Sequence, residues 1–310
     1  MLDVLQLLLD GLLDGGVYAL LGLGLSLTFG CLRRLNLAYG ATAMLAAYFG
    51  AWLHARYPIS AWLVALAVVI SAILIGYYVE QLCFARRSGE VPHTLSTPDN
   101  QSFSNSREMT ALASSFAIWM QLEQLAVILL PRHLNAFPLL SVGEIWEIGE
   151  LTIRPDRLVL TMLSVAVTLG LALWLQRTRT GLSWRAAADH RIAAHLAGMP
   201  VPWLQTVGFA VACALSGLAA FAVLSLEGQV TPMFGMWLLF KGLVAAMLGG
   251  LGSVRGVLRG GLLLGVVESF AQSLLGAQGR EFASYALLLI VLVRPVGSQG
   301  RHWVSRGIRP

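Results

Sequence analysis

Residues 60–82 read SAWLVALAVVISAILIGYYVEQL. A run this long and this apolar matches the roughly 20 residues that a helix needs to cross a bilayer's hydrocarbon core. Further apolar segments fall at about 4–30, 37–53, 111–131, 157–175, 203–226, 237–251, 260–277 and 282–294. The composition agrees with them. Of the 310 residues, 57% are hydrophobic and only 12% charged, and the mean hydropathy is +0.72. An ordinary soluble domain carries roughly 25% charged residues, so this chain cannot cover a water-facing surface and lipid must be its main solvent. The expected fold is all-α: a polytopic transmembrane helical bundle of eight to ten spans, forming one domain over residues 1–310. The first segment, interrupted by Gly11, Gly15 and Gly16, is one long helix or a short amphipathic piece followed by a span. The segments at 237–251 and 260–277 are short and glycine-rich, and read as two full spans or one broken helix.

Basic residues orient these segments. The loops holding Arg33/Arg34, Arg86/Arg87/Arg107, Arg177/Arg179/Arg185/Arg191 and Arg255/Arg259, with the tail Arg294/Arg301/Arg306/Arg309, contain 15 of the 21 Lys and Arg residues. The opposite side receives Arg56, Arg132, Arg154, Arg157 and Arg280, and Lys241 falls inside a span. Cytoplasmic loops are enriched in Lys and Arg, so the bias predicts nine crossings, with the N-terminus outside and the C-terminus in the cytoplasm. Asp3, Asp10 and Asp14, with no basic n-region, mark the first segment as a retained helix and not a cleaved signal.

Several function classes fall away. The net charge of +5 comes almost wholly from Arg in short loops, which serves topology and leaves no basic surface for nucleic acid. Cys31, Cys83 and Cys213 are far apart and read as small apolar residues. His190 and His195 are five apart and do not share a helix face, so no metal site is expected. No G-x-x-x-x-G-K-[ST] loop occurs, so the chain is not expected to bind or hydrolyse ATP itself. No Ser–His–Asp or paired-carboxylate arrangement stands out, and no catalytic residue is assigned.

One stretch is too polar to span. Residues 180–200, within a loop of about 177–202, read TGLSWRAAADHRIAAHLAGMP. Thr180 or Ser183 can cap a helix there, and Gly198, Pro200 and Pro202 stop it. Ala186, Ala187, Ala188, Ala193, Ala194 and Ala197 would let another surface approach closely, with Arg185, Asp189 and Arg191 pairing around the edge. A helix resting on lipid headgroups would want a fuller apolar face than Trp184, Ile192 and Leu196. The stretch therefore reads as a cytoplasmic docking helix. Two other loops, 86–110 and 132–156, read as a polar flexible segment and a solvated connector.

Inside the apolar segments, Lys241 and Glu268 are the notable ions. A central charge costs roughly 2.5–3.5 kcal/mol on insertion scales, so they pair structurally, line a path or snorkel to an interface. Asn36 either hydrogen-bonds a polar solute or caps the second helix. Gly249, Gly250, Gly252, Gly256, Gly260, Gly261 and Gly265 permit close helix packing, or mark a broken helix whose backbone lines a cavity.

Three of these stretches carry a resemblance. Gly181, Arg185, Ala186, Ala188, Asp189, Ala193, Ala194 and Gly198 are similar to the cytoplasmic coupling motif of ABC-importer permeases, in the variant of the branched-chain amino acid permease family. Leu35-Asn-Leu-Ala-Tyr-Gly40, with Met44 and Ala47-Tyr48, resembles that family's first signature. The block from Lys241 through Gly250, Gly252 and Ser253 to Gly265 and Glu268 resembles its glycine-rich block. The resemblance covers residues 15–295 and implies a bacterial inner-membrane permease with two ATP-binding subunits, a second permease subunit and an external solute-binding protein. It also implies coupling through Gly181, Arg185, Ala186, Asp189, Ala193, Ala194 and Gly198, and a translocation path near Asn36, Tyr39, Gly40, Lys241, Gly250, Gly252 and Glu268. Tyr39 stands where the family has His, Arg255 follows the glycine turn where Pro is common, Arg259 replaces an apolar residue, and 90–106 is an insert. These departures bear on the solute more than on the mechanism. The implied solute is a branched-chain or similar amino acid, with urea or a short amide next. An ion-coupled transporter or channel using Lys241 and Glu268, or a structural membrane subunit, are the readings from other classes.

Overall fold

The computed structural model of the chain describes residues 2–32, 36–57, 59–83, 100–129, 136–140, 143, 146–148 and 151–293. In order these form α1 (Leu2–Leu32), α2 (Ala38–Arg56), α3 (Ala61–Cys83), α4 (Asn100–Leu129), β1 (Trp146–Ile148), β2 (Leu151–Ile153) and α5 (Pro155–Arg177). There follow α6 (Arg179–Asp189), α7 (Arg191–Leu196), α8 (Val201–Glu227), α9 (Phe234–Gly249), α10 (Val254–Leu275) and α11 (Ala277–Val293). Hydrocarbon offers the backbone no hydrogen-bond partner, so a lipid-embedded chain must satisfy its N–H and C=O groups within helices. Each of the nine expected apolar segments falls on a helix. Six of those helices, spanning Asp3–Gly30, Ala61–Cys83, Leu112–Leu129, Pro155–Arg177, Val201–Glu227 and Val254–Leu275, are long and apolar enough to cross a membrane. At 16 and 17 residues, α9 and α11 fall short of the usual ~20.

The structure refines the sequence reading in four places. Among the described residues the bundle is helical apart from one short hairpin. Part of the 132–156 connector folds as an antiparallel hairpin, β1 with β2, pairing Trp146 with Ile153 and Ile148 with Leu151. The last residues of the 86–110 loop belong to the start of α4, while residues 84–99 lie outside the described residues. The first apolar segment is a single helix despite its glycines, because these face another helix and do not break α1. Finally, 237–251 and 260–277 are two helices joined by a turn in which Gly250 and Gly252 have φ of +85° and +91°, a conformation only glycine adopts without strain.

Helix α1 is central, packing on α5, α8, α9 and α10. Its contact with α10 is a seam of glycines. A Cβ on Gly15 would sit 2.7 Å from Leu262 Cα, one on Gly11 2.6 Å from Val266 Cα, and one on Gly261 or Gly265 would collide with the α1 backbone. The two helices therefore touch main chain to main chain, the small-residue packing that replaces hydrophobic driving force in lipid. One end of α1 meets the hairpin and α5, where Gln6 donates to Thr152 O at 2.9 Å and Asp10 pairs with Arg157 at 3.6 Å. The other end meets α6, α8 and the α9–α10 turn, whose Gly252 N–H donates to Ser26 Oγ at 2.7 Å.

Candidate functional site

The docking stretch is two helices, not one. Thr178, ahead of both caps expected from sequence, accepts from Gly181 N–H at 3.0 Å, satisfying one of the free N–H groups at a helix start. Helix α6 ends at Asp189, His190 leaves helical geometry, and α7 runs six residues to Leu196. Gly198, at φ +76°, terminates it in the left-handed conformation favoured at helix ends.

The segment's two faces differ. Gly181 is buried against the last turn of α5, where a Cβ would strike Trp174 O and sit 2.6 Å from Leu175 Cα. Trp184, only 7% exposed, lies over Gly30 of α1 and Gly208 of α8. Ala194 is buried and Ala186, Ala187 and Ala188 are half-buried. Arg185, Asp189, Ala193 and Gly198 are exposed, and Leu196 is 85% exposed. Of the expected coupling residues, then, Gly181 and Ala194 fasten the segment to the bundle, Ala186 is half-buried, and Arg185, Asp189, Ala193 and Gly198 face outward. The side chain of Arg191 lies outside the described residues.

Deeper in the bundle, Lys241 of α9 and Glu268 of α10 are 1% and 2% exposed and form a direct ion pair. Their surroundings complete it. Lys241 Nζ donates to Ser284 Oγ at 2.7 Å, and Ser284 in turn donates to Glu268. Glu268 also accepts from Tyr18 at 2.9 Å and from Arg280 Nε at 3.1 Å. Arg280 reaches Asp14 at 3.1 Å and donates to Tyr18. Lys241 lies 3.6 Å from Glu281, which accepts from Trp237 Nε1 at 2.8 Å, and it sits 5.5 and 5.3 Å above the Tyr18 and Trp237 rings. A buried charge is tolerated when paired and hydrogen-bonded. This network ties α1, α9, α10 and α11 together.

The remaining predicted residues occupy two other places. Gly250 and Gly252 form the α9–α10 turn. Asn36, Tyr39 and Gly40 cluster at the start of α2, which begins beside the middle of α1 and not beyond its end: Tyr39 Oη donates to Leu21 O at 3.2 Å, and a Cβ on Gly40 would strike Gly235 O of α9. Asn36 Oδ1 accepts from Ala38 N–H at 3.0 Å, the capping role expected of it.

Compared with known proteins, the chain matches the model of the branched-chain amino acid transport system / permease component family over residues 7–293. The chain belongs to that family. It is 26% identical to the high-affinity branched-chain amino acid transport system permease protein LivH of Salmonella typhimurium, across 97% of both chains. It is 28% identical to BraD of Pseudomonas aeruginosa, a permease protein of the same description, over the same shares. LivH of Escherichia coli K12 is similar at 26% identity.

The permease is a multi-pass membrane protein, and its charge network contains residues the sequence did not single out. From sequence Asp14 and Arg280 read only as topology markers, although an acid within the first apolar segment and a cation just before the last one are a usable signal. Tyr18 and Ser284 carried none. Cys83 and Cys213 are buried free thiols, as expected of small apolar residues.

Proposed function

We propose that the permease is the membrane-spanning subunit of an ATP-binding-cassette importer carrying branched-chain or related amino acids inward across a bacterial inner membrane. It crosses nine times, with its N-terminus outside and its C-terminus in the cytoplasm, which puts α6 and α7 on the cytoplasmic side. ATP is bound and hydrolysed by separate subunits that grip this segment, and the permease itself needs no cofactor. A second permease subunit completes the path, and an external solute-binding protein delivers the solute.

The observation that carries this reading is the two-sided build of α6–α7. One face is fastened to α1, α5 and α8 through Gly181, Trp184 and Ala194, while Arg185, Asp189, Ala193 and Leu196 face away from the bundle. Leu196, 85% exposed on a helix too polar and short to enter lipid, adds an apolar contact to this outward face. A pull on the outer face is passed to three long helices, because close-packed interiors transmit displacement.

Replacing Ala193 with Trp tests this. Uptake and co-purification of the ATP-binding subunits are both expected to fall at least tenfold, while membrane insertion and thermal stability stay at wild-type levels. Uptake that survives without the ATP-binding subunits overturns the reading.

A further inference from the structure

The start of α2 holds an unmet donor. Asn36 is 1% exposed, and with Oδ1 committed to Ala38 N–H, its Nδ2 has no hydrogen-bond partner among the described residues. Leaving a buried amide N–H unpaired costs about 1–3 kcal/mol, and most buried polar groups avoid it. The amide cannot be flipped to cure this, because the Ala38 N–H needs an oxygen opposite it.

The donor lies at the N-terminus of a 19-residue helix with no acidic residue in its first turn. That terminus is buried against the middle of α1 and the first turn of α9. A helix start carries roughly half a positive charge and attracts anions. In transporters, such starts within the bilayer point at the anionic group of the solute.

We infer that the α2 N-terminus with Asn36 Nδ2 holds the carboxylate of the amino acid as it passes through the permease. This rests on the amino acid importer reading. The missing hydrogen bond is then made by the solute: Nδ2 donates to one carboxylate oxygen, and the helix start offsets the charge in a region where hydration is lost. Oδ1 keeps the first turn capped throughout.

The experiment separates a cap from a binding group. Asn36→Asp retains the capping oxygen, removes the donor and adds a negative charge facing the solute. The full importer, with its ATP-binding subunits and solute-binding protein, is reconstituted in proteoliposomes and assayed for ATP-driven leucine uptake. The variant is expected to insert into the membrane and assemble with its partner subunits, but to take up leucine at least tenfold more slowly. Asn36→Ser keeps a cap and a shorter hydroxyl donor, and is expected to lose three- to tenfold. Wild-type uptake by Asn36→Asp, or by Asn36→Ser should the first variant not fold, overturns the inference. Wild-type importer that takes up no leucine with ATP would instead sink the amino acid importer reading itself.

Discussion

Two polar constellations sit inside this apolar bundle, and they are finished to different degrees. Around Glu268 every charge has an answer: Lys241, Arg280, Tyr18 and Ser284 all converge on one carboxylate, and Asp14 takes the remaining side of Arg280. At the start of α2 one oxygen of Asn36 is used and its nitrogen is not. Low polarity makes both states consequential, since it strengthens completed networks and penalises open ones. The completed network behaves as scaffold, pinning four helices. The open one offers a donor that a passing solute can take up.

The largest expected effect breaks the scaffold side. Glu268→Ala leaves Lys241 and Arg280 buried without their main counter-charge, and removing one partner of a buried pair costs about 3–5 kcal/mol. Thermal unfolding in lipid nanodiscs is expected to shift down accordingly, with uptake falling only as folded protein is lost. The paired change Lys241→Met with Glu268→Leu removes both charges and leaves Arg280 with Asp14, so it is expected to recover more than half of that loss. A Glu268→Ala protein as stable as wild type would remove the distinction between the two constellations.

A smaller effect sharpens what the scaffold is made of. Gly261→Ala puts a methyl into the Ala19 backbone of α1, and overpacking of this kind costs about 1–3 kcal/mol. Gly170→Ala on α5, where a Cβ meets nothing within 4 Å, is the control and is expected to be neutral or slightly stabilising. Equal melting temperatures for the two would argue that the α1–α10 seam is looser than backbone contact requires.

How far the sequence foretold these features follows from what each one needs. Long apolar runs need only local composition, so nine helices were legible, and Lys241 and Glu268 announced themselves as charges within such runs. Their partners were not legible. Asp14 and Arg280 sit near segment ends, where a charge is ordinarily explained by topology, and nothing local connects residue 14 to residue 280. The break at His190 escaped because alanine-rich sequence favours helix on both sides of it. The hairpin escaped because three-residue strands are too short for alternation to register. Asn36 was legible as a cap, but its second, unmet group is a property of three-dimensional surroundings.

The smallest effect tests whether capping alone explains Asn36. Thr178 is a second side-chain cap on a helix start, outside the apolar core, with its oxygen on Gly181 N–H at 3.0 Å. Replacing it with Ala costs about 1 kcal/mol, the usual worth of such a cap, and the melting temperature is expected to drop by a few degrees at most. ATP-driven uptake per folded molecule should fall less than twofold, because α6 keeps its seat through Gly181 and Trp184. Asn36→Ala removes a cap of similar worth together with an unpaired buried donor that itself costs stability, so it should lose no more stability than Thr178→Ala. Its uptake should nevertheless fall far further, since the same change deletes the free Nδ2. If both variants lose stability and uptake in the same proportion, Asn36 is a cap and nothing more, and the two constellations differ only in how many bonds they hold.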